Sequence, residues 1–267
     1  MWSANDVHYW RAYVPPSRPS RFDLDLCTQY ASEIKTRFHR QPRVLILGST
    51  NEFRDWAFEE SCDVTVIDNS EGFHAAISDD RKYKRAQERV VFRNWEDIQF
   101  AEEFELIVGD LVIGNIAPNN VELVIGKIKN ALVPGGVFIS KSYFFNPNRP
   151  FKSLNDVFSA YEASQKLNDP FPLLAYDLTV AAMDDKTFFM TFNKMHELVK
   201  NAHEQGRLSD KTMERYKEFG WEGDAFAFYV MPIPEWERLL GGYFAKYTVY
   251  FGPYPWSSDF PIYVATK

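Results

Sequence analysis

The chain has 267 residues, 45% of them hydrophobic and 16% aromatic, enough to bury a substantial core in one elaborated domain or two small ones. Its 37 acids outnumber its 30 lysines and arginines, and the net charge of −7 argues against a nucleic-acid binder, which needs clustered basic residues. Cys27 and Cys62 are the only cysteines, too few for a disulfide framework or a zinc site; no apolar run approaches the roughly 18 residues of a membrane span, and the N-terminus is unlike a signal peptide. The expectation is a cytoplasmic protein with no membrane partner and no metal.

Residues 4–13 read as a short helix carrying Tyr9, Trp10 and Tyr13. The proline-rich residues 14–20 cannot continue it and form an extended connector. These aromatics either pack on the domain or form a lid over a ligand and its substrate. Residues 23–40 read as a helix with Leu24, Leu26, Tyr30, Ile34 and Phe38 on one stripe and basic residues in the last turn.

The most informative stretch is 44–68. The apolar run 44–47 ends at Gly48, as a strand buried on both faces would. Ser49 or Thr50 can cap the helix expected over 53–60, with Glu52 closing a capping box on Ser49. A second strand over 64–67 stops at Asp68. Strand, Gly-turn, helix, strand and acid make the first half of a nucleotide-binding βαβ unit. Gly48 lets backbone approach a ligand, and Asp68 stands where an acid can accept both ribose hydroxyls of an adenosine. A dinucleotide fingerprint needs G-x-G-x-x-G so that pyrophosphate can sit on the helix N-terminus. Here the loop is G-S-T-N-E-F, and Glu52 would repel a phosphate. S-adenosyl-L-methionine, which has a ribose and no phosphate, fits better.

Residues 69–89 read as a helix-like span whose charged part, 81–89, is a solvated face. A third strand over 89–94 ends in Asn94 and Trp95, at the edge where ligands of open α/β sheets bind. A fourth over 106–109 runs into Asp110. Pro118 opens a helix with Val121, Val124, Ile125, Ile128 and Leu132 at helical spacing. A tight turn over 132–136 leads to a fifth strand over 137–140.

This order, with G-S-T-N-E-F-R after the first strand, Gly109-Asp110 and Gly114-Asn115 after the fourth, and L-V-P-G-G-V-F-I, resembles class I S-adenosylmethionine-dependent methyltransferases. The loop looks like a subgroup with G-x-T-x-E-x-R. The resemblance covers about residues 43–143 and the tail. It implies that Gly48, Ser49 and Thr50 approach the methionine part. Asp68 would take the ribose, Asn94 and Trp95 would lie near the adenine, and Asp110 near the amino group; Glu52, Arg54 and Asn69 are further cofactor-binding candidates. The fold it implies is α/β: a Rossmann-like, doubly wound, seven-stranded, mostly parallel sheet with the last strand antiparallel and a helical insertion after the fifth.

Residues 144–240 leave the sheet pattern, with helices expected over 152–167, 173–204 and 208–219. Within them, residues 151–240 hold 15 acids and 10 bases, five of the seven net negative charges. By family expectation such an insertion caps the site and selects substrate; the alternative is a homodimer surface. Residues 188–190 and 226–229 line a pocket or belong to core. A helix over 232–240 closes at Gly241-Gly242, and strands over 246–251 and 261–266 complete the sheet. The division is an N-terminal lid (1–41), a cofactor-binding core (42–143 and 241–267) and the insertion (144–240).

The expected reaction is methyl transfer to oxygen or nitrogen of a small molecule or small peptide. Such displacements depend largely on alignment, with a base only where the nucleophile carries a proton. Asp110, Lys141 and Tyr143 are the catalytic candidates. Tyr9, Trp10, Tyr13 and Tyr143 are the substrate candidates. His8, His74, His196 and His203 have no feature beyond an isolated histidine on a helix. A non-catalytic cofactor-binding protein and a nicotinamide oxidoreductase are the rival classes.

Overall fold

The protein is seen in a computed structural model that describes residues 3–84, 87–149, 153–163, 171–218, 227–254 and 256–267. In chain order the elements are α1 (Val7–Ala12), α2 (Arg21–Phe38), β1 (Arg43–Leu47), α3 (Asn51–Glu59), β2 (Asp63–Asp68), α4 (Glu71–Ser78), β3 (Arg89–Phe92), β4 (Phe104–Asp110), α5 (Val121–Ala131) and β5 (Leu132–Lys141). Then follow α6 (Leu154–Ala163), α7 (Phe171–Ala182), β6 (Phe189–Thr191), α8 (Phe192–Glu204), α9 (Asp210–Glu218), β7 (Ala227–Tyr229), α10 (Ile233–Tyr243), β8 (Lys246–Tyr250) and β9 (Ile262–Thr266).

The seven-stranded sheet has the order β3-β2-β1-β4-β5-β9-β8. β3 through β5 are parallel, and β9 runs antiparallel to both β5 and β8. This is the expected Rossmann-like sheet with one reversed strand. The strand runs are apolar without alternation because both faces are covered: Val44, Ile46, Val66, Leu106, Val108 and Ile139 pack under α2 and α3 with Leu26, Ile34, Phe53 and Trp56. Ser20 caps α2, exchanging backbone and side-chain hydrogen bonds with Asp23. The chain divides into two compact units, Trp2–Phe144 with Pro234–Lys267, which holds the sheet, and Phe145–Ile233, which is mainly helical with β6 and β7 paired antiparallel.

Several local expectations are corrected. The capping box at α3 does not form: Thr50 is the N-cap without a side-chain bond, because Ser49 is engaged by His74 and Glu52 by Arg18. α4 stops at Ser78, and the following charges are a solvated face only in part: Lys82, Lys84 and Arg89 are exposed, but Arg81 and Glu88 are not. Arg81 is buried and bonds Asp55 and Glu88, and Glu88 also pairs with buried Arg54. Two guanidiniums taken out of water require that many acids. Residues 132–136 are strand rather than turn, with a register shift against β4. Gly136 permits it, since a Cβ there would lie 2.9 Å from the Val133 carbonyl. The helix expected over 173–204 is broken before β6, where the Asp184 carboxylate accepts from the N–H groups of Lys186 and Thr187. Gly241-Gly242 lie inside α10, which buried Trp236, Leu239 and Leu240 anchor through to Tyr243. Phe226 and parts of the helices expected over 152–167 and 208–219 lie outside the described residues.

Candidate functional site

The sheet register builds the site. Leu47 is paired with Ile67 on one side and Gly109 on the other. One step further, Gly48 falls between Asp68 and Asp110. Asp68 is paired with Phe92, and Asp110 with Lys141. Phe92, Asp68, Gly48, Asp110 and Lys141 thus form one row across five parallel strands at their carboxyl ends, the edge where open α/β sheets bind ligands. Side chains alternate along a strand, so the row shares a face with Ile46, Val66, Val108 and Ile139, the face under α2 and α3.

Gly48 has φ +89°, a conformation costly for any residue with a Cβ. Its N–H donates to the Ile67 carbonyl at 2.8 Å, which continues the β1–β2 ladder one residue beyond Leu47. The Trp95 indole N–H donates to the same carbonyl (3.3 Å) and lies against Gly48. Asp68 is buried, and its Oδ1 accepts from the Ser70 N–H at 2.8 Å. Asn69 donates to Asn94 Oδ1 (3.1 Å), tying the ends of β2 and β3.

On the other side of Gly48 the charges are buried. Lys141 Nζ lies 3.0 Å from Asp23 of α2, 3.3 Å from Asp110 and 2.9 Å from the Arg18 carbonyl. Asp110 has the Lys141 ammonium as an ion-pair partner, neither of its oxygens accepts a well-formed hydrogen bond, and its side chain is fully buried. Burial pushes the Asp110 carboxyl up to about 7, against the opposing pull of Lys141. The Arg18 guanidinium donates to Glu52 at the start of α3 (2.6 Å) and lies over the Trp10 ring. Residues 13–20 therefore form a strap, fastened at Glu52 and Lys141. Arg11 pairs with Asp80, and Trp10 packs edge-on against Phe73 of α4. A groove of about 330 Å³ opens between Trp10, Arg18, Asn51, Glu52, Asp55 and Asp80.

Ser49 is oriented from beneath. Arg54 can only donate, so its contact with His74 Nε2 (3.4 Å) leaves the imidazole proton on Nδ1, which donates to Ser49 Oγ at 2.9 Å. Burial, then the Arg54 charge, hold His74 below the usual imidazole range, so it is neutral. The Ser49 hydroxyl proton remains available to a ligand acceptor. Arg54 itself is committed to Asn51, Ser78 and Glu88.

The row brings together Gly48, Asp68, Asp110 and Lys141, with Ser49, Thr50, Glu52, Asn69, Asn94 and Trp95 beside it. Tyr143 is buried and stacks on Phe260 (4.8 Å), Tyr13 packs beside Trp10, and Tyr9 beside His8. Sequence reasoning missed Phe92, Arg18 and Asp23. Phe92 is legible as the last residue of β3, whereas Arg18 and Asp23 carry no local signal. Among the described residues no group of three or more His, Cys, Asp or Glu could hold a metal, and no helix is long and apolar enough to cross a membrane.

No family model and no curated protein sequence matches the chain. Solved structures share its fold. A Rhodobacter sphaeroides protein provisionally described as a Zn-dependent alcohol dehydrogenase is 13% identical over all of this chain and 99% of that one, with a TM-score of 0.59. The 1,6-didemethyltoxoflavin-N1-methyltransferase of Burkholderia thailandensis, solved with S-adenosylhomocysteine, is 12% identical over 90% of this chain and 76% of that one (TM-score 0.50). A Nostoc punctiforme protein provisionally described as an O-methyltransferase is 10% identical over 90% of this chain and 56% of that one (TM-score 0.50). Such identities speak to fold alone. The fold is that of the class I S-adenosylmethionine-dependent methyltransferases. The reversed β9 between β5 and β8 distinguishes it from the six-stranded order 3-2-1-4-5-6 of dinucleotide-binding sheets.

Proposed function

We propose that the protein uses S-adenosyl-L-methionine to methylate oxygen or nitrogen of a small molecule or small peptide. The observation that carries this reading is the row Asp68–Gly48–Asp110 at the carboxyl ends of a sheet with this strand order. The residues fit the cofactor: a ribose-accepting acid, a glycine that lets backbone close on the ligand, a buried acid without a hydrogen-bond partner, and Glu52 where a pyrophosphate would need none.

In this reading Asp68, with Asn69, holds the ribose; Phe92, Asn94 and Trp95 border the adenine; and Ser49 and Thr50 meet the methionine carboxylate. Asp110 faces the amino-acid end, and Glu52 balances positive charge. When bound, the cofactor supplies an electrophilic methyl group. The chain's own contribution is to align a nucleophile, exclude water beneath the strap, and take a proton where the nucleophile carries one. Trp10 and Tyr13, at the start of the strap, are the substrate contacts of this reading, and Tyr143, buried against Phe260, orients the substrate from below.

Calorimetric titration tests the reading. S-adenosylmethionine and S-adenosylhomocysteine should bind with micromolar affinity and NAD should not. Asp68→Ala should lose cofactor affinity by at least about tenfold, the value of one good charge-assisted hydrogen bond, while keeping its unfolding midpoint. Binding of NAD alone would favour the oxidoreductase.

A further inference from the structure

The charges around Asp110 do not balance. Its charged neighbours are Lys141 of β5, Asp23 of α2 and Glu52 of α3, and Arg18 of the strap pairs with Glu52. Three carboxylates therefore face two cations. Lys141 is held by Asp23 at 3.0 Å and the Arg18 carbonyl at 2.9 Å, and Arg18 by Glu52. Arg18 has its own acid in Glu52, whereas Asp23 and Asp110 share the single ammonium of Lys141 (3.0 and 3.3 Å). Both Asp110 oxygens are buried without a well-formed hydrogen bond, as is Glu52 Oε2. An ionised carboxylate sealed from water with only a share of one ammonium is unstable and takes up a proton unless a further cation arrives.

We propose that the crevice is one positive charge short by construction: on the acid side of neutrality Asp110 is a neutral carboxylic acid in the unliganded protein and gives up its proton when an organic cation, ammonium or sulfonium, enters beside it. The reading of the cofactor above supplies the choice of probes. The Asp110 value of about 7 sets the pH window. Below it, the cation must displace a proton, and affinity falls about tenfold per pH unit. Above it, Asp110 is already ionised and affinity levels off. The exchange is balanced: a carboxyl proton leaves to solvent as one positive charge enters, and no other bond changes.

The test has a ligand-free arm and a binding arm. In protein labelled with 13C at aspartate carboxyls, one unliganded resonance should titrate near 7 and be missing from Asp110→Asn. Trimethylsulfonium, a bare cation, should move that resonance toward its ionised position at about pH 6. Calorimetry in two buffers of different ionisation heat should then find about one proton released on binding S-adenosylmethionine at about pH 6, almost none at about pH 8.5, and none in Asp110→Asn. S-adenosylhomocysteine carries only the ammonium, and 5′-methylthioadenosine carries neither charge. Release with both charged ligands assigns the ammonium; release with S-adenosylmethionine alone assigns the sulfonium. The proposal is overturned if no aspartate titrates near neutrality, if trimethylsulfonium leaves the resonance in place, or if methylthioadenosine releases the same proton. If the bare cation acts on Asp110 while neither adenosyl ligand binds, the cation site stands and the cofactor reading falls.

Discussion

β4 carries a buried acid at each end, and the two are treated in opposite ways. Glu105, beside the first residue, has no exposure and accepts from the Arg43 backbone N–H (2.8 Å) and guanidinium (2.7 Å), with Arg40 adding a further pair. Burial pushes its carboxyl up, but the Arg43 hydrogen bonds outweigh that and hold it below the usual range. Asp110, the last residue, is as deeply buried with no hydrogen bond, and burial raises it. The amino edge of the sheet is electrostatically finished, and the carboxyl edge is left incomplete. Unpaired buried groups persist where a ligand completes them.

The largest effect that could break this contrast is the pH dependence of stability. An unfolded aspartate titrates near 3.9, whereas Asp110 keeps its proton to about 7. Folding therefore favours the protonated form. Its contribution is full below about pH 4 and is lost as pH rises to about 7, on the order of 4 kcal/mol. Asp110→Asn should flatten this fall and unfold at a higher urea midpoint than the wild type at pH 8; a lower midpoint would sink the assignment. At the other end, Glu105→Gln should cost about 2–3 kcal/mol at neutral pH. That lies under the full value for a broken buried pair because Arg40 and Arg43 remain partly exposed. Equal responses of the two substitutions would erase the distinction between the edges.

A finer test is Gly48→Ala. The positive φ should cost about 1–2 kcal/mol of stability, and the new methyl meets only Trp95 at 3.7 Å. Loss of cofactor affinity beyond that of a destabilised fold, read by titration well below the midpoint, would tie the glycine to ligand approach. At the small end, Arg11→Ala removes an exposed pair with Asp80 and should leave the midpoint unchanged. A shift would mean that the strap is held as firmly at α4 as at Lys141.

Much of the sheet was legible in the sequence because strands covered on both faces must be apolar runs, and each ends where a turn residue or acid interrupts it. That is how Gly48, Asp68 and Asp110 were recognised. In the charged run after α4 the sequence does not separate the exposed Lys82, Lys84 and Arg89 from the inward Arg81 and Glu88, because a charge pattern looks the same whether the acids meet water or buried arginines. Ser49 and Glu52 were misassigned as caps because their actual partners, His74 and Arg18, are 25 and 34 residues away.

By itself the sequence determined the β–α rhythm, the glycine turn, the acids at strand ends and the absence of a phosphate-binding glycine loop, all properties of residues close in the chain. Only the tertiary structure decided which charges neutralise one another. Lys141 meets Asp23 and the Arg18 carbonyl across 118 and 123 residues. No local pattern encodes that meeting, since it depends on how α2 and the strap cross the sheet edge, and it is what leaves Asp110 without a hydrogen-bonding partner.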